Sequence, residues 1–340
     1  MISTWNFADK AIDSGWDHDE ILDVVQFTAK YCQVNQCDGT VDYGGSPSET
    51  GEVFLDAMIM DGENMNVGSV VGLRRVKDAV GVARAVLEHT SHSMLAGESA
   101  TNFAVQMGFA EESLETEHSE NMHENWKEND CQPNYWLDVS PDSQKSCGPY
   151  SAKTAKKAKN SEISKKHLAN LDLTDEKNHD TIGVIGVENG HAVAACSTNG
   201  MNHKIAGRVP DSSIPGSGGW AENAVGACSA TGDGDVMLRF SPSILCVERM
   251  KMGDSPNQAA EYAIRRIKTY YPTFSGAVIA VRTRDELAGA ACAGMKNFPY
   301  AVRMEKDDVS ELRYVDCVDD EVEPSGSGRV RFFGSRRLGN

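Results

Sequence analysis

Two apolar runs near the middle of the chain predict a buried β-hairpin. The segment TIGVIGVENGHAVAACSTNG (181–200) contains one apolar run, the pair Asn189-Gly190 and a second apolar run. Asn-Gly is a preferred sequence for a two-residue hairpin turn, because both residues tolerate positive φ. Both runs are apolar at successive positions, as expected for strands that are covered on both faces. We therefore expect a central hairpin whose first residue is Thr181.

Elsewhere the pattern alternates between helix and strand. The segment VFLDAMIMDG (53–62) predicts a short buried strand, and SPNQAAEYAIRRIKTYY (255–271) predicts an amphipathic helix that starts at Ser255-Pro256 and precedes the strand-like segments SGAVIAVRT and AGAACAG. Residues 73–95 have apolar positions at helical spacing. We expect five of them to share one buried stripe: Leu73, Val76, Val80, Ala83 and Leu87. The alternation indicates an α/β fold, and we see no internal repeat.

Residues 149–180 interrupt this alternation. The stretch SAKTAKKAKNSEISKKHLAN within them holds six lysines against one glutamate and almost no large apolar residue. Such a segment buries too little surface to offset the entropy of ordering it, so it predicts a mobile linker. The ordinary interpretation of its charge is a solvated basic loop, which we adopt. The linker ends where the predicted hairpin begins.

This junction makes Thr181 a candidate nucleophile. A threonine that opens a strand is usually only a β-branched residue in a favourable place. If the chain were cut between Asp180 and Thr181, however, Thr181 would carry a hydroxyl and a free α-amine. An α-amine has a reference pKa of about 7.7–8 and accepts a proton near neutral pH. It can therefore activate the weakly nucleophilic hydroxyl of its own residue.

Composition narrows the class of protein. The chain has 340 residues, 40% hydrophobic and 24% charged, enough for one large globular domain or two ordinary ones. The formal charge of −17 argues against a nucleic-acid partner, and no apolar run is long enough to span a bilayer. The first residues, MISTWNFADKAIDSGWDHDE, lack the apolar region of a signal peptide, and the chain has no Asn-X-Ser/Thr sequon.

The nine cysteines are an odd number, so at least one is free if all pairing is internal. Cys32 and Cys37 are close in sequence, and Cys131 and Cys147 bracket a polar loop. Two local disulfides fit an oxidising compartment, whereas reduced thiols packed as small apolar groups fit the spacing equally well. The histidine pairs at 89/92 and 118/123 lack a clear third ligand, so we predict no metal site.

Taken together, a series of motifs resembles the glycosylasparaginase (aspartylglucosaminidase) family of N-terminal nucleophile hydrolases. The motifs occur in order as QCDGTVDYGGSP, LDAMIMDG, LRRVKDAVGVARAVLEHT, GESATNFA, CQPNYW, HDTIG, STNG, GRVPDSSIPG and SATGDGD. They cover the chain from about residue 30 onward, and STWNF near the start also fits. The resemblance implies a single domain over residues 1–340, with the four-layer αββα sandwich of this superfamily. It also implies autocleavage after Asp180 into chains 1–180 and 181–340, and a dimer of two-chain units.

The activity implied is hydrolysis of the amide bond between N-acetylglucosamine and the asparagine side chain, in lysosomal glycoprotein degradation. The substrate is a small molecule, and no metal or other cofactor is needed. The resemblance assigns roles to residues that match the family's motifs. These are Thr181 as nucleophile, Thr198 orienting it, Thr231 and Gly232 as oxyanion donors, Arg208 for the substrate carboxylate, Asp211 for its ammonium, Trp5 near the substrate and Ser46 supporting autocleavage.

Each of these residues also has an ordinary structural interpretation. Arg208 and Asp211 could form a surface ion pair of little energetic value. Thr231-Gly232 could belong to a glycine turn, Thr198 could bond a neighbouring strand, and Trp5 could be a core residue. The family pattern favours the functional interpretation for Arg208 and Asp211 and leaves Trp5 open.

The chain also departs from the family pattern. Residues 16–30 are shorter than expected, which predicts a trimmed first helix, and Pro210 replaces the usual glycine between Arg208 and Asp211. Proline fixes φ near about −65° and could shift those two side chains. Cys292 lacks the family's partner, and Cys317 is a candidate replacement. Two alternative functions remain: an isoaspartyl peptidase or L-asparaginase of the same fold, and an uncleaved paralogue that only binds.

Overall fold

The computed structural model describes residues 1–153 and 181–318. The helices in these ranges are α1 (Asp9–Gly15), α2 (Ile21–Asn35), α3 (Ala79–His89), α4 (Gly97–Gln106), α5 (Glu117–Glu128), α6 (Gly234–Met237), α7 (Pro242–Lys251) and α8 (Pro256–Lys268). The strands are β1 (Ile2–Thr4), β2 (Leu55–Asp61), β3 (Asn66–Leu73), β4 (Leu95–Ala96), β5 (Val139–Ser140), β6 (Ser151–Ala152), β7 (Ile182–Glu188), β8 (His191–Thr198), β9 (Gly219–Glu222), β10 (Gly226–Gly232), β11 (Gly276–Arg282), β12 (Ala288–Ala293), β13 (Asn297–Val302) and β14 (Glu311–Asp316).

Two principal sheets organise the molecule. The larger has eight strands in the order β14-β13-β1-β7-β8-β2-β3-β4 and is antiparallel apart from the β3–β4 pair. The smaller has four antiparallel strands in the order β12-β11-β10-β9. Helices α2 and α3 pack on one face of the larger sheet, and α7 and α8 pack on one face of the smaller sheet. The other faces of the two sheets pack against each other, so the predicted α/β class is confirmed.

Successive side chains of the central strands point to opposite faces, so each strand contributes to two separate hydrophobic cores. In β7, Ile182 and Val184 point into the core shared with α2 and α3, whereas Ile185 points into the core between the sheets. In β2, Ile59 lies in the core with α2 and α3, and Met60 lies in the core between the sheets. A third core lies between the smaller sheet and helices α7 and α8. Strands buried on both faces therefore have no polar side, which explains the continuous apolar runs in the sequence.

The central hairpin is confirmed, although its first strand begins at Ile182, one residue after the predicted start. Strands β7 and β8 pair from Ile182↔Ser197 to Glu188↔His191, leaving Asn189 and Gly190 as the two-residue loop. Both loop residues have positive φ, 49° and 84°, as this tight turn requires. Thr181 is the residue immediately before β7.

The prediction for residues 73–95 was wrong in its extent. Leu73 is the last residue of β3 and Val76 lies in the connection, while the helix begins at Ala79. The start is set by Asp78, whose carboxylate accepts a hydrogen bond from the Gly81 backbone. Leu73 and Val76 are nevertheless buried in the same core as Val80, which is why the stripe resembled one helix. The helix predicted to start at Ser255-Pro256 is confirmed as α8, with Ser255 and Gln258 forming a capping box.

The first helix of the chain is short, and the first residues of the predicted linker differ from expectation. Near the predicted trimmed first helix, α1 has only seven residues and α2 has fifteen. At the other boundary, Ser151 and Ala152 pair with Val139 and Ser140, so these residues of the 149–180 segment belong to a small sheet. The remainder of that segment, residues 154–180, lies outside the described part of the chain.

Four disulfides connect eight of the nine cysteines. Cys32–Cys37 and Cys131–Cys147 are disulfides, which was one of the two interpretations of their spacing. Cys292 pairs with Cys317, the candidate partner. The fourth pair, Cys228–Cys246, joins the smaller sheet to helix α7. Cys196 is the free thiol and is buried between the sheets. No helix within residues 1–153 and 181–318 is long and apolar enough to cross a membrane.

The approach of α3 to β3 provides a test of the packing. A Cβ added at Gly68 would lie 1.9 Å from the Ala83 carbonyl oxygen of α3, so Gly68→Ala forces the helix away from the sheet. We expect it to lower the free energy of unfolding by about 1–3 kcal/mol, measured by denaturant titration. Gly190→Asn is the control, because Gly190 has open space around it and asparagine tolerates its positive φ. Equal stability of the two variants would contradict this account.

Candidate active site

Thr181 is buried, with 3% of its surface exposed, and both of its backbone groups are hydrogen-bonded. Its backbone N–H donates to Thr231 Oγ1 at 3.1 Å. Its carbonyl oxygen accepts from Thr4 Oγ1 at 2.7 Å. These partners come from two other segments of the chain, β10 and β1, so Thr181 is held where the two principal sheets meet.

Trp5 points its indole to the same hydroxyl. Trp5 Nε1 donates to Thr231 Oγ1 at 2.9 Å, and the ring packs edge-on against Phe298 at a centroid distance of 4.9 Å. The backbone of Trp5 has φ 67°, which is uncommon for a bulky L-residue. Trp5 is thus both a core residue and a neighbour of Thr231, so the two interpretations left open for it are compatible.

Thr231 and Gly232 are the last residues of β10, so they do not form the glycine turn of the alternative interpretation. Gly232 has φ 125°, and a Cβ added there would lie 2.4 Å from the Gly276 Cα atom of β11. Only glycine fits this conformation and this contact. Asp233 follows and caps α6 by accepting from the Val236 backbone N–H.

Thr198 lies on the strand next to Thr181. Because Ile182 pairs with Ser197, the antiparallel register places Thr198 opposite Thr181. The Thr198 hydroxyl donates to the Thr40 carbonyl at 3.2 Å and accepts from the Gly200 backbone N–H at 2.9 Å. The structure therefore brings Thr181, Thr198, Thr231 and Trp5 together.

Arg208 and Asp211 converge beside Gly234 and do not form a surface ion pair. A Cβ added at Gly234 would lie 2.5 Å from Asp211 Oδ1 and 3.0 Å from Arg208 Nη2. The guanidinium of Arg208 instead pairs with Asp235, with Nη2 and Nε 3.2 Å and 3.3 Å from its Oδ2 atom. Pro210 has φ −79°, which suits proline, and the side chains of Arg208 and Asp211 both lie beside Gly234.

Asp211 is a buried carboxylate with an incomplete set of partners. It is 2% exposed, and no other described residue hydrogen-bonds its Oδ2 atom. Burial raises the pKa of Asp211 to about 7, against the opposing effect of the nearby Arg208 guanidinium. A cation bound beside Asp211 would favour its ionised form, so the site is suited to an ammonium group.

Ser46 is fully enclosed next to a buried lysine. Lys204 Nζ donates to the carbonyls of Ser46 and Asn199 at 2.8 Å and 2.7 Å. Burial lowers the pKa of Lys204 and raises the pKa of Asp56, and the opposite charges of this pair partly counteract both shifts. Among the described residues, the Ser46 hydroxyl has no hydrogen-bond partner. Lys204 thus ties the Ser46 loop to the segment that leads to Arg208.

Within the described ranges, the group that could supply three metal ligands is Asp61, Glu63 and His191. His191 Nε2 and Asp61 Oδ1 already form a hydrogen bond of 2.7 Å, and Glu63 is exposed. The histidines considered from the sequence lie elsewhere, and His123 bonds the Glu49 backbone carbonyl at 3.1 Å. None of these groups touches Thr181.

Sequence reasoning missed several residues at this site. Thr4 was passed over although it precedes Trp5, and Asp235 was passed over although it closes the motif SATGDGD. Lys204 gave no signal, because a lysine in a polar loop is normally solvated. All three are recognised only from the contacts that the folded chain creates.

The comparisons with known proteins identify the family of the chain. Residues 7–310 match the model of the asparaginase family, and the chain belongs to that family. A Mus musculus relative named N(4)-(beta-N-acetylglucosaminyl)-L-asparaginase is 47% identical over 303 residues, covering 88% of this chain and 85% of its own. A Rattus norvegicus relative of the same name is 47% identical over 302 residues, with the same coverage. A Drosophila persimilis relative is 48% identical over 338 residues, covering 94% and 84%. The resemblance to glycosylasparaginase is therefore confirmed.

The raised pKa of Asp211 predicts how stability depends on pH. Between its ordinary value of 3.8 and about 7, the folded protein keeps a proton that the unfolded chain has released. This group therefore makes the folded state less stable as the pH rises through that window. Asp211→Asn cannot titrate and so lacks this loss of stability. The free energy of unfolding of the variant minus that of wild type should therefore rise by about 2 kcal/mol between pH 5 and pH 7.

Denaturant titrations at the two pH values measure this difference. Asp285→Asn is the control, because Arg282 lowers the pKa of Asp285 and places its titration below the tested range. A difference between Asp211→Asn and wild type that is the same at both pH values would show that Asp211 is already ionised in the free protein.

Proposed function

We propose that this chain is an amidohydrolase that activates itself by autocleavage and uses Thr181 as an N-terminal nucleophile. Its substrate is asparagine whose side-chain nitrogen bears N-acetylglucosamine, a product of glycoprotein degradation. The observation that carries the proposal is the placement of Thr181, which is buried with its N–H on the Thr231 hydroxyl at 3.1 Å. The names of the mouse and rat relatives support the choice of substrate.

Activation begins with attack of the Thr181 hydroxyl on the carbonyl carbon of Asp180, which lies outside the described residues. The C–N bond breaks as the nitrogen of Thr181 gains a proton, leaving an ester to Thr181 Oγ1 and a free α-amine. Water then hydrolyses the ester. The products are chain 1–180, which ends in a carboxylate, and chain 181–340, which begins at Thr181. The 149–180 segment is proposed to let the new ends separate.

The freed amine then acts as the base for catalysis. It accepts the proton of the Thr181 hydroxyl as the oxygen attacks the amide carbon of the substrate. The carbonyl oxygen becomes an oxyanion, and the amine passes its proton to the leaving glycosylamine. The resulting aspartyl ester is hydrolysed by water, which releases aspartate and restores the hydroxyl. We assign to Thr198, which lies opposite Thr181, the role of orienting the hydroxyl and the amine, and the strand register supports this role.

The hydrogen bonds of Thr231 support its role as an oxyanion donor. A threonine hydroxyl has two lone pairs and one hydrogen. Both lone pairs face N–H donors, from Thr181 and from Trp5. The hydroxyl hydrogen must therefore point away from both donors, where it can donate to the oxyanion together with the Gly232 backbone N–H. This arrangement exists before the substrate arrives, so little reorganisation is needed.

The carboxylate and ammonium of the substrate need opposite charges in fixed places. Arg208 offers a planar guanidinium to the carboxylate, and Asp211 offers its unpartnered Oδ2 atom to the ammonium. The two meet at Gly234, two residues beyond Gly232, so the binding groups adjoin the proposed oxyanion donors. An isoaspartyl peptidase would use the same pair, and only its leaving group would differ.

We also propose that the layers form the αββα sandwich of N-terminal nucleophile hydrolases. The three successive cores, between helices and sheets and between the two sheets, support this architecture. A dimer of two-chain units and a lysosomal location are further proposals based on the resemblance. Four disulfides are consistent with folding in an oxidising compartment of the secretory pathway.

Autocleavage can be tested by mass. Wild-type protein, denatured and analysed by intact mass spectrometry, should give two chains, the smaller of which starts Thr-Ile-Gly on amino-terminal sequencing. Thr181→Ala lacks the hydroxyl and should remain one inactive chain. Thr269→Ala, which changes a threonine at the end of α8, should be cleaved and active. Full activity of uncleaved wild type or of Thr181→Ala would refute the proposal.

The substrate clamp can be tested by kinetics. Arg208→Lys keeps the charge but loses the planar fork, and we expect KM for glycosylated asparagine to rise about 10- to 100-fold. The effect should disappear for an analogue whose α-carboxylate is amidated. Arg282→Lys, which alters an arginine paired with Asp285 outside the site, is the control. Turnover of a β-aspartyl dipeptide in preference to glycosylated asparagine would instead favour the isoaspartyl peptidase.

A further inference from the structure

The end of strand β1 makes an unusual connection to Thr181. The backbone of β1 pairs with β7 at Ile2↔Ile185 and Ser3↔Val184. At Thr4 the side chain, and not the backbone, makes the hydrogen bonds to this segment. Thr4 Oγ1 donates to the Thr181 carbonyl at 2.7 Å and accepts from the Gly183 backbone N–H at 2.9 Å. One hydroxyl therefore occupies the position at which the next pair of backbone groups would otherwise bond β7.

The direction of this hydroxyl is fixed by its two partners. The Gly183 N–H can only donate, so it takes a lone pair of Thr4 Oγ1 and leaves the single hydroxyl hydrogen for the Thr181 carbonyl. Thr4 is fully buried, so no water competes for these bonds. The carbonyl of Thr181 is attached to the same Cα atom as its amine and side chain. Holding the carbonyl thus sets the orientation of the groups that react.

Two hydroxyl groups therefore hold the backbone of Thr181. Thr231 holds its nitrogen and Thr4 holds its carbonyl. Trp5, the residue after Thr4, has a positive backbone φ of 67°, and its indole N–H donates to the Thr231 hydroxyl. The dipeptide Thr4-Trp5 therefore supports Thr181 directly and through Thr231.

We infer that Thr4 is a positioning residue for the nucleophile, an inference that rests on the proposed function of Thr181. Before cleavage, the peptide bond to residue 180 restrains Thr181. After cleavage that restraint is lost, and Thr4, in chain 1–180, becomes a contact between chains that fixes the new amino terminus. A misplacement of about 1 Å can cost roughly 100-fold in rate, so this contact has a large effect on turnover.

The chain offers a matched control in Ser3. Its hydroxyl is also fully buried and donates to the Gly183 carbonyl at 3.0 Å. It lies on the same strand and bonds the same glycine as Thr4, but it makes no hydrogen bond to Thr181. Removing either hydroxyl disturbs the junction of β1 with β7, and only the Thr4 change releases the nucleophile.

The experiment compares Thr4→Val, Thr4→Ser and Ser3→Ala by autocleavage rate, thermal melting, kcat and KM on glycosylated asparagine. Valine matches the shape of threonine without the hydroxyl, so Thr4→Val should lower kcat about 10- to 100-fold and slow autocleavage, with KM within about 3-fold of wild type. Thr4→Ser should restore kcat to within about 5-fold. Ser3→Ala should keep kcat within about 3-fold even where its melting temperature falls as far as that of Thr4→Val.

The outcomes separate this inference from the proposed function. If Thr4→Val keeps wild-type kcat, or if Ser3→Ala loses as much kcat as Thr4→Val, the positioning role is refuted while Thr181 remains the nucleophile. An active Thr181→Ala would refute the proposed function itself. If Thr4→Val does not fold, Thr4→Cys replaces it, because a thiol is a weak donor of similar size, and the same loss of kcat is expected.

Discussion

The antiparallel pairing of β7 with β8 is the constraint on which the site depends. Its register, from Ile182↔Ser197 to Glu188↔His191, places Thr181 at the end of a strand that is buried on both faces. A shift of one residue would exchange the two faces, sending Ile182 towards the sheet–sheet core. The tight Asn189-Gly190 turn prevents that shift. The position of Thr181 is therefore determined by packing on both sides of the larger sheet.

Close approach of the two sheets is the second requirement. A Cβ added at Gly183 would lie 2.1 Å from Ser229 Oγ, so β7 and β10 touch where Gly183 has no side chain. That contact brings Thr231 to the nitrogen of Thr181. Gly232 allows β10 to lie against β11 in a conformation that other residues would not adopt. Glycines in the strands thus permit the close contacts that surround Thr181.

Buried charge is concentrated at this end of the molecule. Asp211, Lys204 and Asp56 are buried, and the Arg208 side chain keeps only 12% of its surface exposed, so each charge costs free energy unless it finds a partner. Asp235 pairs with Arg208, and backbone carbonyls surround the Lys204 ammonium. Asp211 is left with an open oxygen. Under the proposed function, the ammonium of the substrate supplies the missing partner, so binding relieves a cost that the free protein bears.

The sequence by itself determined the elements with strong local signals. The Asn189-Gly190 turn, the apolar runs around it and the capping residue Ser255 were identified because turn geometry and capping depend on neighbours in the chain. The motifs also identified the family and singled out Thr181, Arg208 and Asp211. The extent of α3 was misjudged, because Leu73 and Val76 share its core from a strand and a loop.

Only the tertiary structure decided which distant groups meet. Thr4 reaches the carbonyl of a residue 177 positions away, and Asp235 pairs with an arginine 27 positions away. The depth of Lys204 and the pairing of Cys228 with Cys246 also follow from how the layers stack. The local sequence gives the spacing of apolar residues in a segment and the residues of its turns. These contacts depend instead on how sheets and helices pack, which no short stretch of sequence encodes.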